Sequence, residues 1–171
     1  MPDVFTKAKR SEVMSRIRAC GNKDTELRLM TVFREQGTTG WRRQVPIRFQ
    51  VTGSKLQVPA RRKRAKNLKP ETLNSKQTKS VRPDFVFRRE RLAVFVHGCF
   101  WHGCAEHYRR PKANRKFWDA KIARNMERDA AVTKALRKAG WRVLCLWEHE
   151  LAKKRERRLL ARLRRWIVFG D

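Results

Sequence analysis

The spacing of apolar positions predicts two helices near the start of the chain. Segment 11–20 has the spacing of a short helix, and segment 24–37 predicts a longer helix that Asp24 or Thr25 can cap and Gly37 can end. The apolar residues that would line the two helices are Val13, Met14, Ile17, Leu29, Met30 and Phe33. Each predicted helix therefore has one apolar side, which must pack against other elements.

Later segments alternate between strand-like and helix-like patterns. The pattern predicts a strand or extended arm in "WRRQVPIRF" and strands in "PDFVF", "RLAVFVHG" and "WRVLCLW". It predicts a long helix from Arg115 that Gly140 closes, and a closing basic helix over 150–170. In that last helix the residues available to the core are Leu151, Leu159, Leu163 and Trp166. The order of elements predicts one α/β domain over residues 1–171, with a mixed central sheet flanked by helices.

The segment from residue 52 to residue 82 differs from the rest of the chain. It has no aromatic residue, few aliphatic residues and many Lys, Arg, Ser, Thr and Gln. This composition predicts a basic, mobile insertion, because such a segment cannot bury enough apolar surface to pack as a core. Two interpretations stay open: a solvated loop without a role, or a segment that becomes ordered on a polyanion.

Composition adds a strong positive charge to this outline. Lys and Arg number 44 against 16 Asp and Glu, which gives a formal net charge of +28. A field of this sign attracts polyanions, so nucleic acid is the expected partner and an acidic membrane surface the weaker alternative.

No apolar run reaches the ~20 residues of a transmembrane helix. The N-terminus lacks the apolar region of a secretory signal, so we expect a cytoplasmic protein.

Cysteine and histidine are crowded into the segment "VFVHGCFWHGCAEH". Cys99, Cys104 and His107 supply three of the four thiolate and imidazole ligands that a structural zinc site requires. The fourth ligand must come from His149 or Cys145. Cys145 lies within an apolar alternation typical of a core strand, whereas His149 stands just past that strand, so we favour His149. The alternative is a set of reduced cysteines and histidines that bind no metal.

The long predicted helix carries an acidic residue on its inward side. The face is formed by Trp118, Ile122, Asn125, Asp129, Val132 and Leu136. A buried carboxylate is costly unless another group pairs with it. His97 and His102, which zinc does not need, are natural partners for Asp129, because a carboxylate fixes the orientation and tautomer of an imidazole. A salt bridge from Arg or Lys is the alternative.

Two further features are suited to chemistry on nucleic acid. Asp84 opens a predicted strand, where a carboxylate can bind Mg²⁺, although an Asp after Pro is more often a turn residue. Together with a histidine base it would supply the groups that phosphodiester hydrolysis needs. Phe100 and Trp101 lie between the candidate ligands, where they can stack on bases or wedge into a duplex; the alternative is that they cap the core.

Taken together, these motifs are similar to those of one known family. "RPDFVF", "VFVHGCFWHGCAEHYRRP", "NRKFWDAKIARNMERD" and "GWRVLCLWEHEL" resemble the very-short-patch repair (Vsr) DNA mismatch endonucleases, and "KAKRSEVMSRIRACGNKDTELRL" resembles their N-terminal segment. The resemblance covers nearly the whole chain except residues 52–82. It implies a restriction-endonuclease-like core of the PD-(D/E)xK type. It also implies Mg²⁺-dependent nicking of one strand of double-stranded DNA, 5′ of the thymine in a T:G mismatch.

The resemblance also implies roles for individual residues. Asp84 and the backbone carbonyl of Val96 would bind Mg²⁺, and His102 would be the general base supported by Asp129. His97 and Glu26 would complete the active site. The residues at the structural zinc positions are Cys99, Cys104, His107 and His149. The residues at the positions that wedge into DNA beside the mismatch are Phe100, Trp101 and Trp118.

The chain departs from wider patterns in three places. His97 and Cys99 stand where the wider superfamily has Glu and Lys, so activation of water must depend on His102. The spacing of Cys104 and His107 varies within the family. The insertion over 52–82 directly precedes Asp84. We expect a monomer, with mismatch-repair proteins as possible helpers.

Two other functions remain open from sequence: a zinc-containing nucleic-acid-binding module without catalysis, and a related nuclease that acts on other DNA in restriction or defence. Nucleic-acid binding alone does not require Asp84, His102 and Asp129 to converge in one cleft, so their convergence would favour a nuclease. Choice of substrate depends on loops and wedge residues, which the pattern of elements does not specify.

Overall fold

A computed structural model of the chain describes residues 6, 8, 9, 12, 21–51 and 77–169. The predicted helix over 11–20 therefore lies, apart from Glu12, outside the described residues. Residues 52–76 of the predicted insertion lie outside them as well.

The described strands form one mixed sheet and one separate hairpin. The strands are β1 (Trp41–Arg43), β2 (Ile47–Val51), β3 (Gln77–Val81), β4 (Phe85–Phe87), β5 (Leu92–His97) and β6 (Arg142–Trp147). The main sheet has the order β1-β4-β5-β6, in which β1–β4 and β4–β5 are antiparallel and β5–β6 is parallel. The prediction of an α/β fold with a mixed sheet is confirmed.

Among the described residues, strands β2 and β3 pair only with each other, in antiparallel orientation. The interpretation of 52–82 as a loop is therefore wrong for Gln77–Val81, which form a strand. Their composition is polar, but each residue pairs with a residue of β2, from Ile47 opposite Val81 to Val51 opposite Gln77. Pairing across such a sequence separation depends on the partner strand, and the polar segment alone does not reveal it.

Three α-helices surround the main sheet within the described residues. They are α1 (Arg28–Glu35), which follows a π-helical turn at Lys23–Leu27, α2 (Arg115–Lys138) and α3 (Glu156–Arg164). The start and end of α2 agree with the sequence pattern. Two other expectations are wrong. Asn22, not Asp24 or Thr25, caps the first helical segment, because its side chain accepts a hydrogen bond from the Asp24 N–H at 3.0 Å. The closing helix starts only at Glu156, after two short 3₁₀ turns.

The helices pack on opposite faces of the main sheet. Helices α1 and α3 cover the face that carries Phe85, Phe87 and Val94, and α2 covers the face that carries Ala93 and Val143 through its buried Leu136. Fully burying one such apolar side chain contributes about 1.5–3 kcal/mol. None of the helices in the described part of the chain is long and apolar enough to cross a membrane.

The topology brings three chain positions to one edge of the main sheet. Strands β5 and β6 are parallel, with His97 opposite Trp147, so both end at this edge. Strand β4 runs antiparallel to β5 and therefore begins there, directly after Asp84. The loop from Gly98 and the turn from Glu148 thus start side by side.

Candidate active site and metal centre

The loop that follows β5 is folded back tightly on itself. The N–H of His102 donates to the carbonyl of Gly98 at 3.2 Å, and the N–H of Cys104 donates to the carbonyl of Cys99 at 3.0 Å. Within the second of these turns Gly103 has a φ of +64°, a conformation that favours glycine. These turns separate the side chains of the loop into two groups.

Helix α2 holds this loop from one side. The side-chain amide of Asn125 donates to the carbonyl of Trp101 at 2.8 Å. A Cβ atom on Gly103 would lie 2.9 Å from Sδ of Met126 and 3.0 Å from Cγ2 of Ile122. The loop therefore packs against α2 with no room for a side chain at residue 103.

One group is the cysteine–histidine cluster, formed by Cys99, Cys104, His107 and His149. The ligand atoms of these four side chains all lie within 4.8 Å of one another. Nδ1 of His149 lies 3.2 Å from Sγ of Cys99 and 3.6 Å from Sγ of Cys104, and Nδ1 of His107 lies 3.9 Å from Sγ of Cys104. The two cysteines are buried, and the imidazole rings of His107 and His149 stack at 4.2 Å.

This cluster fits a tetrahedral metal ion. Zinc–sulfur and zinc–nitrogen bond lengths put adjacent sulfur and nitrogen ligands roughly 3.6 Å apart in a tetrahedral site. The measured separations of 3.2, 3.6 and 3.9 Å bracket this value. Two thiolates and two imidazoles are also a donor set that structural zinc sites use.

Cys145 lies apart from this cluster. It is in the middle of β6, where burial raises the pKa of its thiol and the side chain of Thr133 on α2 hydrogen-bonds to it. The structure thus brings His149 rather than Cys145 to the three loop residues. The turn Glu148–Leu151 after β6 makes this possible, because it directs His149 back toward the loop.

The other group centres on His102. Its Nδ1 lies 2.5 Å from Oδ2 of Asp129, and its ring stacks on the ring of His97 with centroids 4.1 Å apart and planes 2° from parallel. Arg128 also contacts Asp129, with Nη2 3.1 Å from Oδ1. Both partners considered from sequence for the inward carboxylate, a histidine and an arginine, are therefore present.

The surroundings fix the charge of two members of this group. Burial opposes ionisation of Asp129, but the hydrogen bond and charge of His102, together with Arg128, outweigh it and hold the pKa of Asp129 below its usual value. Burial, followed by the charge of His102, lowers the pKa of His97 to about 4. At neutral pH the Asp129 carboxylate is thus ionised and His97 is uncharged.

Asp84 is held in place by two donors at the same edge of the sheet. Its Oδ2 accepts from the backbone N–H of Val96 at 2.7 Å, and its Oδ1 accepts from the side-chain amide of Gln44 at 3.2 Å. Burial raises the pKa of Asp84 to about 6; the Val96 hydrogen bond lowers it and the charge of Glu26 raises it further. The charge of His102 also acts on Asp84, so both belong to one electrostatic neighbourhood.

Glu26 reaches this neighbourhood from the first helical segment. It is buried and accepts a hydrogen bond from Nη2 of Arg43 at 2.9 Å. Two carboxylates in a partly buried site repel each other, and a divalent cation relieves that repulsion. The charge of Glu26 thus adds to the negative charge around Asp84. We name Glu26, Asp84, His97, His102 and Asp129 the carboxylate–histidine cluster.

The three aromatic residues predicted to wedge into DNA contact one another. The ring centroids of Phe100 and Trp101 are 5.1 Å apart, those of Phe100 and Trp118 are 5.1 Å apart, and those of Trp101 and Trp118 are 5.9 Å apart. All three side chains are partly exposed. Next to them Phe117 is 56% exposed and contacts Trp118 at 5.3 Å. The aromatic patch thus begins at the loop and continues onto the first turn of α2.

Sequence reasoning missed two residues that support the site. Gln44 has a φ of +51°, and its backbone N–H and side-chain amide both donate to Asp84. Glu148 accepts from the N–H of Cys99 at 3.0 Å and so connects β6 to the loop. No signal in the sequence distinguishes Gln44, because Gln rarely adopts positive φ. The position of Glu148 just after a predicted strand is the only hint of its role.

Comparison with known proteins assigns the family. Residues 71–108, which contain Asp84, His97 and His102, match the family model described as DNA mismatch endonuclease Vsr. The DNA mismatch endonuclease Vsr of Escherichia coli (strain K12) is 34% identical over 173 residues, an alignment that covers 98% of this chain and 88% of that protein. The chain belongs to the Vsr endonuclease family. The resemblance inferred from its motifs is confirmed.

Shorter matches connect this Vsr family member with nicking enzymes. Type II nicking enzyme V.NaeI of Lentzea aerocolonigenes is 53% identical over 70 residues, and Type II nicking enzyme V.NmeDIP of Neisseria meningitidis serogroup C is 47% identical over 74 residues. The alignments span 42% and 50%, respectively, of the lengths of these two enzymes. The family is thus one of DNA endonucleases whose named members include strand-nicking enzymes.

Proposed function

We propose that this Vsr family member is a Mg²⁺-dependent endonuclease that nicks one strand of double-stranded DNA, 5′ of the thymine in a T:G mismatch. The observation that carries the proposal is the pairing of His102 with Asp129 in the electrostatic neighbourhood of Asp84. A protein that only binds DNA has no need of a partly buried imidazole–carboxylate pair beside a second carboxylate. The core would be the restriction-endonuclease-like core that the motifs imply.

His102 is proposed as the general base. Its Nδ1 faces Asp129, which leaves Nε2 to accept a proton from the attacking water. Asp129 keeps the ring in that orientation and stabilises the imidazolium that forms. His97, held uncharged, stacks on the ring and prevents it from swinging away. A positioned base of this kind typically contributes about 10²–10⁴-fold to rate.

Asp84 is proposed as the carboxylate that binds Mg²⁺, with the backbone carbonyl of Val96 as a further ligand. The hydrogen bonds from Val96 and Gln44 orient the Asp84 carboxylate before any cation arrives. When bound, Mg²⁺ would stabilise the negative charge that develops on the scissile phosphate. Glu26, ion-paired with Arg43, adds negative charge to the neighbourhood and favours cation binding.

The cysteine–histidine cluster is proposed to bind a structural zinc ion. All four ligands would come from protein side chains, as in closed structural sites. The ion would brace the loop that presents His102 and the aromatic patch. Phe100, Trp101 and Trp118 are proposed to wedge into DNA beside the mismatch, since partly exposed rings in a chain of net charge +28 are suited to stack on bases.

A second candidate has the same chemistry with a different choice of substrate. Relatives that are Type II nicking enzymes match 41% and 42% of this chain, which favours a related nuclease that acts in another sequence context. Both candidates act on duplex DNA, and both are expected to be monomers in the cytoplasm. For the T:G mismatch endonuclease, mismatch-repair proteins remain the predicted partners.

The test is incubation of the full chain and Mg²⁺ with end-labelled duplexes that carry T:G, T:A and C:G at one position. We expect a nick in the thymine strand of the T:G duplex alone, and none when EDTA replaces Mg²⁺. Equal cutting of the matched duplexes would contradict the mismatch proposal and support the second candidate. Binding without cutting of any duplex would contradict both.

A further inference from the structure

The outward surface of α3 and of the turn before it is strongly basic. We name it the α3 basic face; its exposed members are Lys153, Lys154, Arg157, Arg158, Arg164 and Arg165. Among the described residues none of these side chains forms an ion pair with an acidic residue, and only Arg164 has a further contact, with its guanidinium over the ring of Phe169. Six cations are therefore directed at solvent without a countercharge from the described chain.

The acidic residues of the same segment each have a hydrogen-bond donor within the chain. Glu148, Glu150 and Glu156 each accept hydrogen bonds from inside the fold. Their donors are the N–H of Cys99 at 3.0 Å, the N–H of Trp147 at 2.7 Å and the guanidinium of Arg28 at 2.8 Å. The acids of this segment are thus engaged within the chain, and they do not neutralise the six cations of the α3 basic face.

The spacing along α3 gives this face a defined shape. Leu159 and Leu163 are buried against the sheet, so Arg157, Arg158 and Arg165 lie on the opposite side of the helix. The exposed Ala161 lies between them and leaves a shallow surface that a broad partner can approach. Residues seven apart on a helix are about 10 Å apart, so the cations form two rows rather than a point. Such an array suits an extended polyanion better than a single anion.

The α3 basic face lies on the other side of the sheet from the catalytic helix. Asp129 and Trp118 are on α2, which packs on one sheet face, whereas α3 packs on the other and turns its arginines away from the sheet. The α3 basic face and the helix that carries Asp129 and Trp118 therefore lie on opposite faces of the sheet. We propose that the α3 basic face binds the phosphate backbone of a second duplex segment, so that one molecule bridges two stretches of DNA. This goes beyond the proposed nicking and rests on the proposed function only in that the first duplex binds at the candidate active site, which binding of the T:G duplex alone checks separately.

The experiment measures bridging directly. The full chain with His102→Ala, in which cutting is disabled, is mixed with a donor-labelled 14-bp T:G duplex and an acceptor-labelled matched 30-bp duplex, and energy transfer is recorded. We expect transfer with this parent. Replacing Lys154, Arg157, Arg158 and Arg165 by Gln should weaken capture of the second duplex at least about tenfold and lower the salt slope of that capture by about 3.6, since each of the four phosphate contacts contributes about 0.9.

A matched control removes the same charge elsewhere. Arg88, Arg89, Lys134 and Lys138 are exposed and lie toward the sheet edge away from the candidate active site, and their replacement by Gln should leave transfer within about twofold of the parent. Binding of the first duplex and the melting temperature are measured for both variants to show that they fold. The proposal is overturned if the parent gives no transfer, or if both variants lose transfer equally.

Discussion

Two clusters with different chemistry share one short loop. The cysteine–histidine cluster uses sulfur and imidazole atoms that converge within 4.8 Å and fit a soft, tetrahedral ion. The carboxylate–histidine cluster uses carboxylates whose pKa values are shifted in opposite directions, up for Asp84 and down for Asp129. The turns at Gly98 and Gly103 send Cys99 and Cys104 to one side and His102 to the other. One loop thus supplies residues to two clusters, one suited to stabilising the fold and one suited to catalysis. Because different side chains serve the two clusters, mutations can test them separately.

The largest effect is expected from loss of the cysteine–histidine cluster. Cys99→Ala removes a thiolate from the proposed zinc site, and because metal binding contributes to folding free energy, the free energy of unfolding should fall by more than about 5 kcal/mol. Metal content by emission spectroscopy and thermal unfolding by circular dichroism check this. Cys145→Ala is the matched control, and it should keep the metal. If Cys99→Ala has the same free energy of unfolding as the parent, the cysteine–histidine cluster does not stabilise the fold.

The next effect should fall on catalysis alone. His102→Ala should reduce nicking by about 10³-fold, equivalent to about 4 kcal/mol of activation free energy, while metal content and melting temperature stay unchanged. Single-turnover nicking rates give the comparison. His107→Ala, from the other cluster, should show the reverse pattern: lost metal and lost stability. If both histidine variants behave alike, the two clusters are not separable.

A smaller loss of nicking rate is expected when Asp129, the hydrogen-bond partner of His102, is replaced. Asp129→Asn keeps the size of the side chain but removes its charge, so the imidazolium loses its stabilising partner and the rate should fall on the order of 10²-fold. Arg128→Ala, the control, leaves the carboxylate in place and should cost less. The split between kcat and KM decides the outcome, because a positioning and charge effect lowers kcat, whereas a larger rise in KM would indicate a role in binding DNA.

The smallest effect tests the packing of the loop on α2. Gly103→Ala forces a side chain into positive φ and against Met126, and should lower the free energy of unfolding by about 1–3 kcal/mol. Gly40→Ala is a matched control, since its φ is +78° but nothing lies within 4 Å of the added atom. Chemical denaturation of both variants separates backbone strain from crowding. Equal losses would show that contact with α2 contributes nothing.

The spacing of apolar residues within single elements was sufficient to predict which side of a helix or strand is buried. The inward stripe of α2 revealed that Asp129 needed a partner, and His102 is one of the two partners the structure provides. The apolar run of β5 likewise predicted a buried central strand, and that of β6 predicted a further buried strand, which lies at the end of the strand order β1-β4-β5-β6. In each case one element's own spacing carries the information, because a helix or strand must bury one side.

The parts that sequence did not predict depend on distant partners or on unusual backbone. Gln77–Val81 form a strand only because β2 lies alongside, and polar residues give no sign of that pairing. Gln44 supports Asp84 from a left-handed conformation that its residue type rarely adopts. The ligand roles of the two clusters and the identity of their metals stay predictions until the variants above are measured.

The pairing of β2 with β3 also makes the protein easy to shorten. Val51 and Gln77 are direct partners across the hairpin, so their backbones are already close enough for a two-residue turn to join them. An Asn-Gly dipeptide in place of residues 52–76 would close the hairpin without altering the register of either strand. Such a shortened chain would offer the β2–β3 junction as a place to insert other segments.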